Sequence, residues 1–519
     1  MPSILRFLVI ENEEPWQRVV RRVLESLDGG VRVDVASSLE AGRDQIEKRV
    51  YDLVTVDLSL VGRPTSPATA DELGLELVEK LLGSERNHQV GVIILTGYST
   101  PDRLRTAFRR YRVQDVIEKS SFKPESFLAS VKAALLDARL LQVKKRLAER
   151  FVLTVSFSQT GWLGSQLRGP GYHSTIYIAE RPVRLDAEDL ARRADQLNKL
   201  ILGESLATKG QLWRPEARSI GRAAYRAFRD DPRIASDFDK AQALARGEPL
   251  GLRFSGPPAG LGLPFELLRG DGEPFCFDHV FAREVSDEGS GSVRKPIGFH
   301  SLLDDLRQRG AALRVLLVGA NSNGEIPAVE EEVEYLEEDI SIELQRLGLR
   351  FEVTSLVGPK ASRGAVREAL SEGVQILHYA GHGRFEDRLP EASGLILGYG
   401  KDTEVLTAAE LRQLAADSEL CFVFLSCCLG SRTGPSAGRG DFHGTFQALA
   451  QSGVANALGY RWTVTDRGAL ELAKAFYTSL WRTLCPGRAL LDARRSVSTG
   501  PNGRDDETWA SPILLSHLS

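Results

Sequence analysis

The chain has 519 residues and a mass of 57.0 kDa, room for about three domains by length alone, and its 42% hydrophobic and 26% charged residues make an ordinary globular composition with ample core. A formal charge of −4 and a pI near 6.2 exclude a general nucleic-acid binder, which needs an excess of basic residues. Five sparse cysteines, two of them adjacent, do not make a disulfide framework, and no run reaches the ~18 apolar residues of a membrane span. The apolar stretch Leu5-Arg-Phe-Leu-Val-Ile10 is followed at once by Glu11-Asn-Glu-Glu14, which is no signal peptide, so a cytoplasmic protein with no membrane partner is expected.

In the first 125 residues, strand-like runs at 5–10, 31–36, 53–56, 92–95 and 113–118 alternate with helical patterns at 15–26, 39–48, 72–82 and 102–111. Such alternation predicts a parallel, doubly wound α/β sheet. Polar residues stand at the strand ends: Glu11 and Asn12, Asp57, Thr96 and Lys119. The basic run Arg103-Leu-Arg-Thr-Ala-Phe-Arg-Arg-Tyr-Arg112 reads as a solvated helix face. A Pro/Gly-containing stretch, Val61-Gly-Arg-Pro-Thr-Ser-Pro-Ala-Thr-Ala70, reads as a loop beside Asp57.

This layout resembles a flavodoxin-like response-regulator receiver domain, with residues 1–123 as its extent. The resemblance implies phosphorylation at Asp57, a switch hydroxyl at Thr96, an invariant lysine at Lys119 and an acidic pair at Glu11 and Asn12. It also implies Mg²⁺ held by Glu11 and Asp57, and a histidine kinase or other phosphodonor as partner. A carboxylate oxygen attacks phosphorus, the ion neutralises the developing charge, and the lysine pairs with the phosphate. The sequence departs from the family at three points. Asn12 stands in place of an acid, Ser120 in place of proline after the lysine, and Val116 in place of an aromatic residue.

Pro124 opens a helical pattern, with Leu128, Val131, Leu135 and Ala138 at three- and four-residue spacing, which predicts a linker helix over 124–150. A continuous helix transmits a rotation or a dimer contact, so a homodimer through the receiver or this helix is one expectation. Residues 151–300 carry fewer signals. Strands are expected at 151–157 and 174–178 and helices at 187–202 and 219–228. Pro257-Pro-Ala-Gly260 marks a turn, and 286–295 reads as a mobile polar loop. His173, His279 and His300 have no partners at metal spacing and read as structural.

From 301 onward, strands are predicted at 313–318, 351–356, 374–379, 393–397 and 420–425, with helices at 329–347, 361–371, 408–415 and 467–484. Two of these runs end on reactive side chains. Val374-Gln-Ile-Leu-His-Tyr-Ala-Gly-His-Gly383 stops at a histidine between glycines, and Leu420-Cys-Phe-Val-Phe-Leu-Ser-Cys-Cys428 stops at two cysteines. Sites in open parallel sheets form past the carboxyl ends of strands. If the two strands are neighbours, an imidazole and a thiol meet there, the pairing of a cysteine nucleophile with a histidine base. Cys427 is the alternative nucleophile. A zinc site using His378 is the alternative chemistry, disfavoured because adjacent strand residues face opposite ways. His443 reads as structural, and the glycine-rich stretch Gly430-Ser-Arg-Thr-Gly-Pro-Ser-Ala-Gly-Arg-Gly440 as a movable loop.

The His-Tyr-Ala-Gly-His-Gly and Leu-Ser-Cys-Cys segments resemble the CHAT family of caspase-like, separase-related cysteine proteases. Leu263-Pro-Phe-Glu-Leu-Leu268 and Arg461-Trp-Thr-Val-Thr-Asp466 resemble two further motifs of that family. The resemblance spans roughly 150–519 and implies a non-catalytic half over 151–300 and a caspase-like α/β catalytic half over 301–519. It implies that His382 and Cys428 are catalytic and that the backbone N–H groups of Gly383 and Cys428 hold the oxyanion. By the same resemblance Asp466 lines a pocket for a basic side chain, with a cap of the following helix over 467–484 as its other reading. A cysteine endopeptidase acting on a protein partner, regulated by the receiver and needing no cofactor for the proteolysis, is thus expected. A catalytically silent signalling scaffold is the alternative.

Overall fold

The computed structural model describes residues 5–27, 30–58, 70–83, 87, 90–97, 113–158, 161–173, 177–184, 187–203, 210–257, 263–285, 297–384, 386, 389–428, 445–500 and 503–516. The predicted helix at 102–111, the loops at 61–69, 286–295 and 430–440, and His443 lie outside them. By compactness the chain divides into two units, one of residues 1–145 with 343–349 and the other of the remainder. No helix among the described residues is long and apolar enough to cross a membrane.

The first unit holds five parallel strands, β1 (Leu5–Ile10), β2 (Val31–Ala36), β3 (Leu53–Asp57), β4 (Gly91–Thr96) and β5 (Asp115–Glu118). They lie in the order β2-β1-β3-β4-β5. Alternate residues feed two cores. Leu8, Ile10, Val54 and Val56 pack on one face, and Phe7, Val9, Leu53 and Leu95 on the other. A sheet covered on both faces needs near-continuous apolar runs, and Phe7–Ile10 of β1, Leu53–Val56 of β3 (Thr55 apart) and Val92–Leu95 of β4 supply them. The predicted linker helix is Pro124–Ala148, whose Phe127, Val131 and Ala134 enter the second of these cores.

The second unit is built on a fourteen-stranded sheet among the described residues. Its central strands are β12 (Leu313–Ala320), β13 (Phe351–Val357), β14 (Ile376–Arg384), β17 (Phe422–Cys428) and β18 (Asn456–Tyr460), all parallel in the order β13-β12-β14-β17-β18. β19 (Pro512–Ser516) runs antiparallel to β18. It carries the sheet on to β11 (Val280–Val285), β10 (Gly251–Gly256), β6 (Val152–Phe157) and β7 (Gly161–Gly169). Thus the two halves expected from the sequence share one sheet, with β19, the last strand among the described residues, joining them. Of the strand expected at 174–178, residues 174–176 lie outside the described residues, and Tyr177 and Ile178 open a strand over Tyr177–Arg184, paired to β7. A helix over Pro232–Ala245, with Asp231 accepting from the N–H groups of Arg233 and Ile234, and another over Pro486–Ser498 were not foreseen.

Two of the sequence motifs stabilise this sheet. In Leu263-Pro-Phe-Glu-Leu-Leu268, Phe265 stacks on Phe254 of β10 with ring centroids 4.2 Å apart. Glu266 pairs with Arg283 of β11, both nearly fully buried. In Arg461-Trp-Thr-Val-Thr-Asp466, the Trp462 indole N–H donates to the carbonyl of Ala194 at 3.2 Å, and the Thr463 N–H to Asn198 Oδ1 at 3.3 Å. Both acceptors lie on the helix Ala187–Gly203, so this motif fastens the β18 end of the sheet to the earlier half. Removing one member of a buried ion pair strands the other charge out of water, at a cost of about 3–5 kcal/mol. Glu266→Ala is therefore expected to lower unfolding free energy by about that much, measured by urea denaturation, whereas a change under about 0.5 kcal/mol, the scale of a surface substitution, would contradict the assignment.

Candidate functional site

Each unit gathers polar side chains at the carboxyl ends of its parallel strands, where short apolar runs give out into loops. In the first unit, Glu11 follows β1, Asp57 ends β3, Thr96 ends β4 and Lys119 follows β5. Glu11, Asp57 and Thr96 are each about 1% exposed. The Lys119 ammonium lies 2.9 Å from Asp57 Oδ2 and 2.9 Å from Glu11 Oε2, with Glu13 at 3.5 Å. Burial pushes the Glu11 carboxyl up, more than the Lys119 hydrogen bond and the Glu13 N–H pull it down. For Lys119, burial pushes down, but hydrogen bonds to Glu11 and Asp57 outweigh it and the ammonium is stabilised.

Glu13 adds a carboxylate to the expected set: Glu11, Glu13 and Asp57 offer oxygens within 4.8 Å of one another. Hard divalent cations take clustered oxygen ligands of this kind, and the cluster fits Mg²⁺. Sequence reasoning placed the pair by family position. The Glu-Asn-Glu spacing was visible but its geometry was not.

In the second unit, β14 and β17 are parallel neighbours in register from Ile376↔Phe422 to His382↔Cys428. Adjacent strands lie ~4.8 Å apart, so residues 382 and 428 sit side by side on the backbone. On its other edge β17 shifts register against β18 between Leu425 and Cys428, an irregularity of the kind that ends strands at sites. Gly381 has no room for a side chain. A Cβ there would stand 2.5 Å from the Tyr379 hydroxyl and 2.8 Å from the Ala320 carbonyl oxygen. The Tyr379 hydroxyl lies 2.7 Å from the carbonyls of both His382 and Ile396, which fixes the backbone under the histidine. At its carboxyl end β14 pairs antiparallel with β15 (Gly394–Leu397), Gly383 opposite Leu395.

The two histidines of β14 have different surroundings. His378 is fully buried, with Nε2 2.9 Å from Glu332 and Nδ1 3.4 Å from the Tyr477 hydroxyl, a core histidine with both nitrogens engaged. His382 is half-buried, and its Nε2 lies 2.9 Å from Asn323 Oδ1. Burial pushes the His382 imidazolium down, against the opposing charges of Glu325 and Asp466. Asn323 and Glu325 were missed from the sequence. They sit in a polar turn after β12 that looks like any other surface loop.

Asp466 is the first residue of the helix Asp466–Thr483, whose N-cap is Thr465, not Asp466. Its Oδ2 instead accepts from the N–H of Ala328 at 2.9 Å, which starts the helix Ala328–Leu347. A carboxylate there answers an unsatisfied N–H and the positive end of the helix. Burial raises the Asp466 carboxyl, and Glu332 and Glu331 add to it. Cys427 is 2% exposed and packs in the main apolar core with Tyr379 and Leu425. These positions alternate with His378 and His382 along the strands, so Cys427 belongs to the face opposite His382.

Fold and site together define a receiver unit followed by a large α/β unit with a His/Cys strand pair. The CHAT domain model matches residues 218–516, and a response regulator receiver domain model matches 7–132. The chain belongs to the CHAT domain family and carries an N-terminal receiver domain. Solved structures similar to it include a CheY-like receiver domain protein from Methanospirillum hungatei JF-1, at 22% identity over 26% of this chain and 97% of that one, with a TM-score of 0.22. The receiver domain of sensor histidine kinase PA1611 from Pseudomonas aeruginosa PAO1, with magnesium in its active-site cleft, matches at 19% identity over 26% of this chain and 98% of that one, TM-score 0.21. The response regulator TrrA from Thermotoga maritima, in complex with Mg²⁺ and BeF, matches at 22% identity over 25% and 99%, TM-score 0.21. No curated protein matches the chain.

The carboxylate cluster predicts a thermal shift. A ligand at a hundred times its Kd stabilises the state it binds by about 2.7 kcal/mol, so millimolar Mg²⁺ is expected to raise the receiver melting temperature by several degrees. Asp57→Asn should remove most of that rise. An equal rise in wild type and variant would contradict the cluster as the ion's site.

Proposed function

We propose that this protein is a cysteine endopeptidase whose activity is set by its receiver domain. The observation that carries the reading is the register of β14 and β17, which puts positions 382 and 428 side by side at the carboxyl end of the sheet. Membership of the CHAT family, and the caspase-like proteases among its relatives, supports it. In this reading His382 takes the Cys428 thiol proton while sulfur adds to the substrate carbonyl carbon. The tetrahedral oxyanion is held by the N–H groups of Gly383 and Cys428, one such donor being worth about 3–4 kcal/mol. The C–N bond breaks as His382 returns the proton to the leaving amine, and water then releases the acyl enzyme by the reverse use of the same base. Asp466, half-buried and within electrostatic reach of His382, would favour an arginine or lysine before the cut.

Regulation follows from the first unit. Asp57 would accept a phosphoryl group from a histidine kinase or another phosphodonor, with Mg²⁺ held by Glu11, Glu13 and Asp57, Lys119 beside the phosphate and Thr96 as the switch hydroxyl. The helix Pro124–Ala148, which precedes β6 in the sequence, would carry the change.

New protein N-termini formed in a cell lysate by wild-type protein and by Cys428→Ala test the proteolysis. Cuts present only with the wild type, and retained in Cys427→Ala, are expected; identical N-termini with and without Cys428 leave a binding scaffold instead. Asp57→Ala should uncouple the cleavage rate from added phosphodonor, and an unchanged response would remove the receiver from control.

Two further outcomes come from the charges around His382. Because burial holds its imidazolium down, the acid limb of kcat/KM should lie below the ordinary histidine value of ~6.5, and a limb above that value would contradict the placement. Asp466→Asn keeps an oxygen for the Ala328 N–H but loses the charge. It should cut the preference for arginine over an uncharged residue about tenfold or more while leaving the fold intact, and an unchanged preference would remove Asp466 from the pocket.

A further inference from the structure

After β12 the chain makes a tight turn. The Gly324 N–H donates to the Asn321 carbonyl at 3.3 Å, Gly324 has φ +75°, and the buried Asn321 Oδ1 accepts from the Ile326 N–H at 3.1 Å. The Ser322 carbonyl accepts from Gly400 N–H at 2.9 Å, tying the turn to the segment after β15. This turn presents the Asn323 side chain to His382.

The two ends of the Asn323 amide are told apart by its other partners. Its Oδ1 lies 3.2 Å from the backbone N–H of Glu325, a group that only donates. Its Nδ2 lies 2.6 Å from Glu325 Oε2, and an ionised carboxylate only accepts. One residue thus holds both ends of the amide, and the reversed orientation would set oxygen against carboxylate and NH₂ against N–H. The Oδ1 is therefore the atom 2.9 Å from His382 Nε2, so Nε2 must carry the proton. A neutral imidazole has a single N–H, which leaves the lone pair on Nδ1. Nδ1 makes no hydrogen bond among the described residues.

We infer that Asn323, locked by Glu325, is a positioning residue that sets the tautomer of His382 and reserves Nδ1 for the thiol proton. The catalytic consequence rests on the protease reading above; the tautomer itself does not. An amide suits this task better than a carboxylate would. It orients the ring without adding a full charge that would keep the imidazole protonated, and Glu325 and Asp466 are the two carboxylates already acting on the ring.

The test uses the full chain labelled with ¹⁵N-histidine, which has only eight histidines to assign, with His382→Gln marking the resonance. Long-range ¹H–¹⁵N correlations above the His382 titration should show the Nε2–H tautomer in wild type. Asn323→Leu should lose that preference, and Asn323→Asp should keep it while moving the titration upward. On a cleaved substrate, Asn323→Leu should lower kcat by roughly ten- to a hundredfold, towards the low end of what a general base contributes, with KM little changed and Asn323→Asp restoring much of the loss. An Nδ1–H tautomer in wild type, or the Nε2–H form unaltered in Asn323→Leu, overturns the inference. The expected tautomers in a protein whose cleavage is indifferent to Cys428 would uphold the inference and remove the protease reading.

Discussion

The register between β14 and β17 is the constraint on which the second unit depends. Both strands are interior, with β12 beyond one and β18 beyond the other, so neither edge is free to adjust. Side chains alternate along a strand, and a slip of one residue would exchange the faces. In this register Cys427 goes to the core with Tyr379 and Leu425, and position 428 falls beside His382. Two adjacent cysteines that composition cannot distinguish are given different places by a parity set a few residues earlier in the same strand. The apolar pairs Leu377↔Val423 and Tyr379↔Leu425 hold that parity by burying one face in the main core.

The same strand shows how burial and partner choice divide one residue type into two roles. His378 faces a buried carboxylate and a buried tyrosine, which hold it as part of the framework. Four residues on, His382 meets an amide at the surface, with carboxylates acting only through their charge. The helices that begin at Ala328 and Asp466 meet at this end of the sheet through the bond from the Ala328 N–H to the Asp466 carboxylate. Glu332, one turn into the first of them, reaches back to His378. The helix that begins at Ala328 thus meets His378 through Glu332 and Asp466 through its first N–H.

Much of this was legible in the amino-acid sequence, for reasons that differ by element. The inner receiver strands β1, β3 and β4 were clear because they are short, mostly apolar runs buried on two faces, and Glu11 and Asp57 stand at the ends of such runs. β14 and β17 were clear for the same reason, and their chemistry stood out as reactive side chains after apolar ones. β18 was not: Asn456-Ala-Leu-Gly-Tyr460 has weak strand character and becomes a strand because it lies between β17 and β19. The Pro-Phe-Glu-Leu motif was recognisable, but its work, a buried Glu266–Arg283 pair, needed a partner seventeen residues away. Asn323 and Glu325 gave no signal, since turn residues are polar everywhere and only the fold brings this turn to His382. For Asp466 the second reading, a cap of its own helix, missed a partner across 138 residues, the Ala328 N–H at the start of another helix.

The most direct test of the central claim is the rate and site of alkylation by an arginine peptide carrying a thiol-reactive group, read by intact mass and peptide mapping. The account predicts a single adduct at Cys428 in the wild type, forming far more slowly in His382→Ala. An adduct on Cys427 or Cys421, or a rate at Cys428 indifferent to loss of the His382 ring, would contradict it.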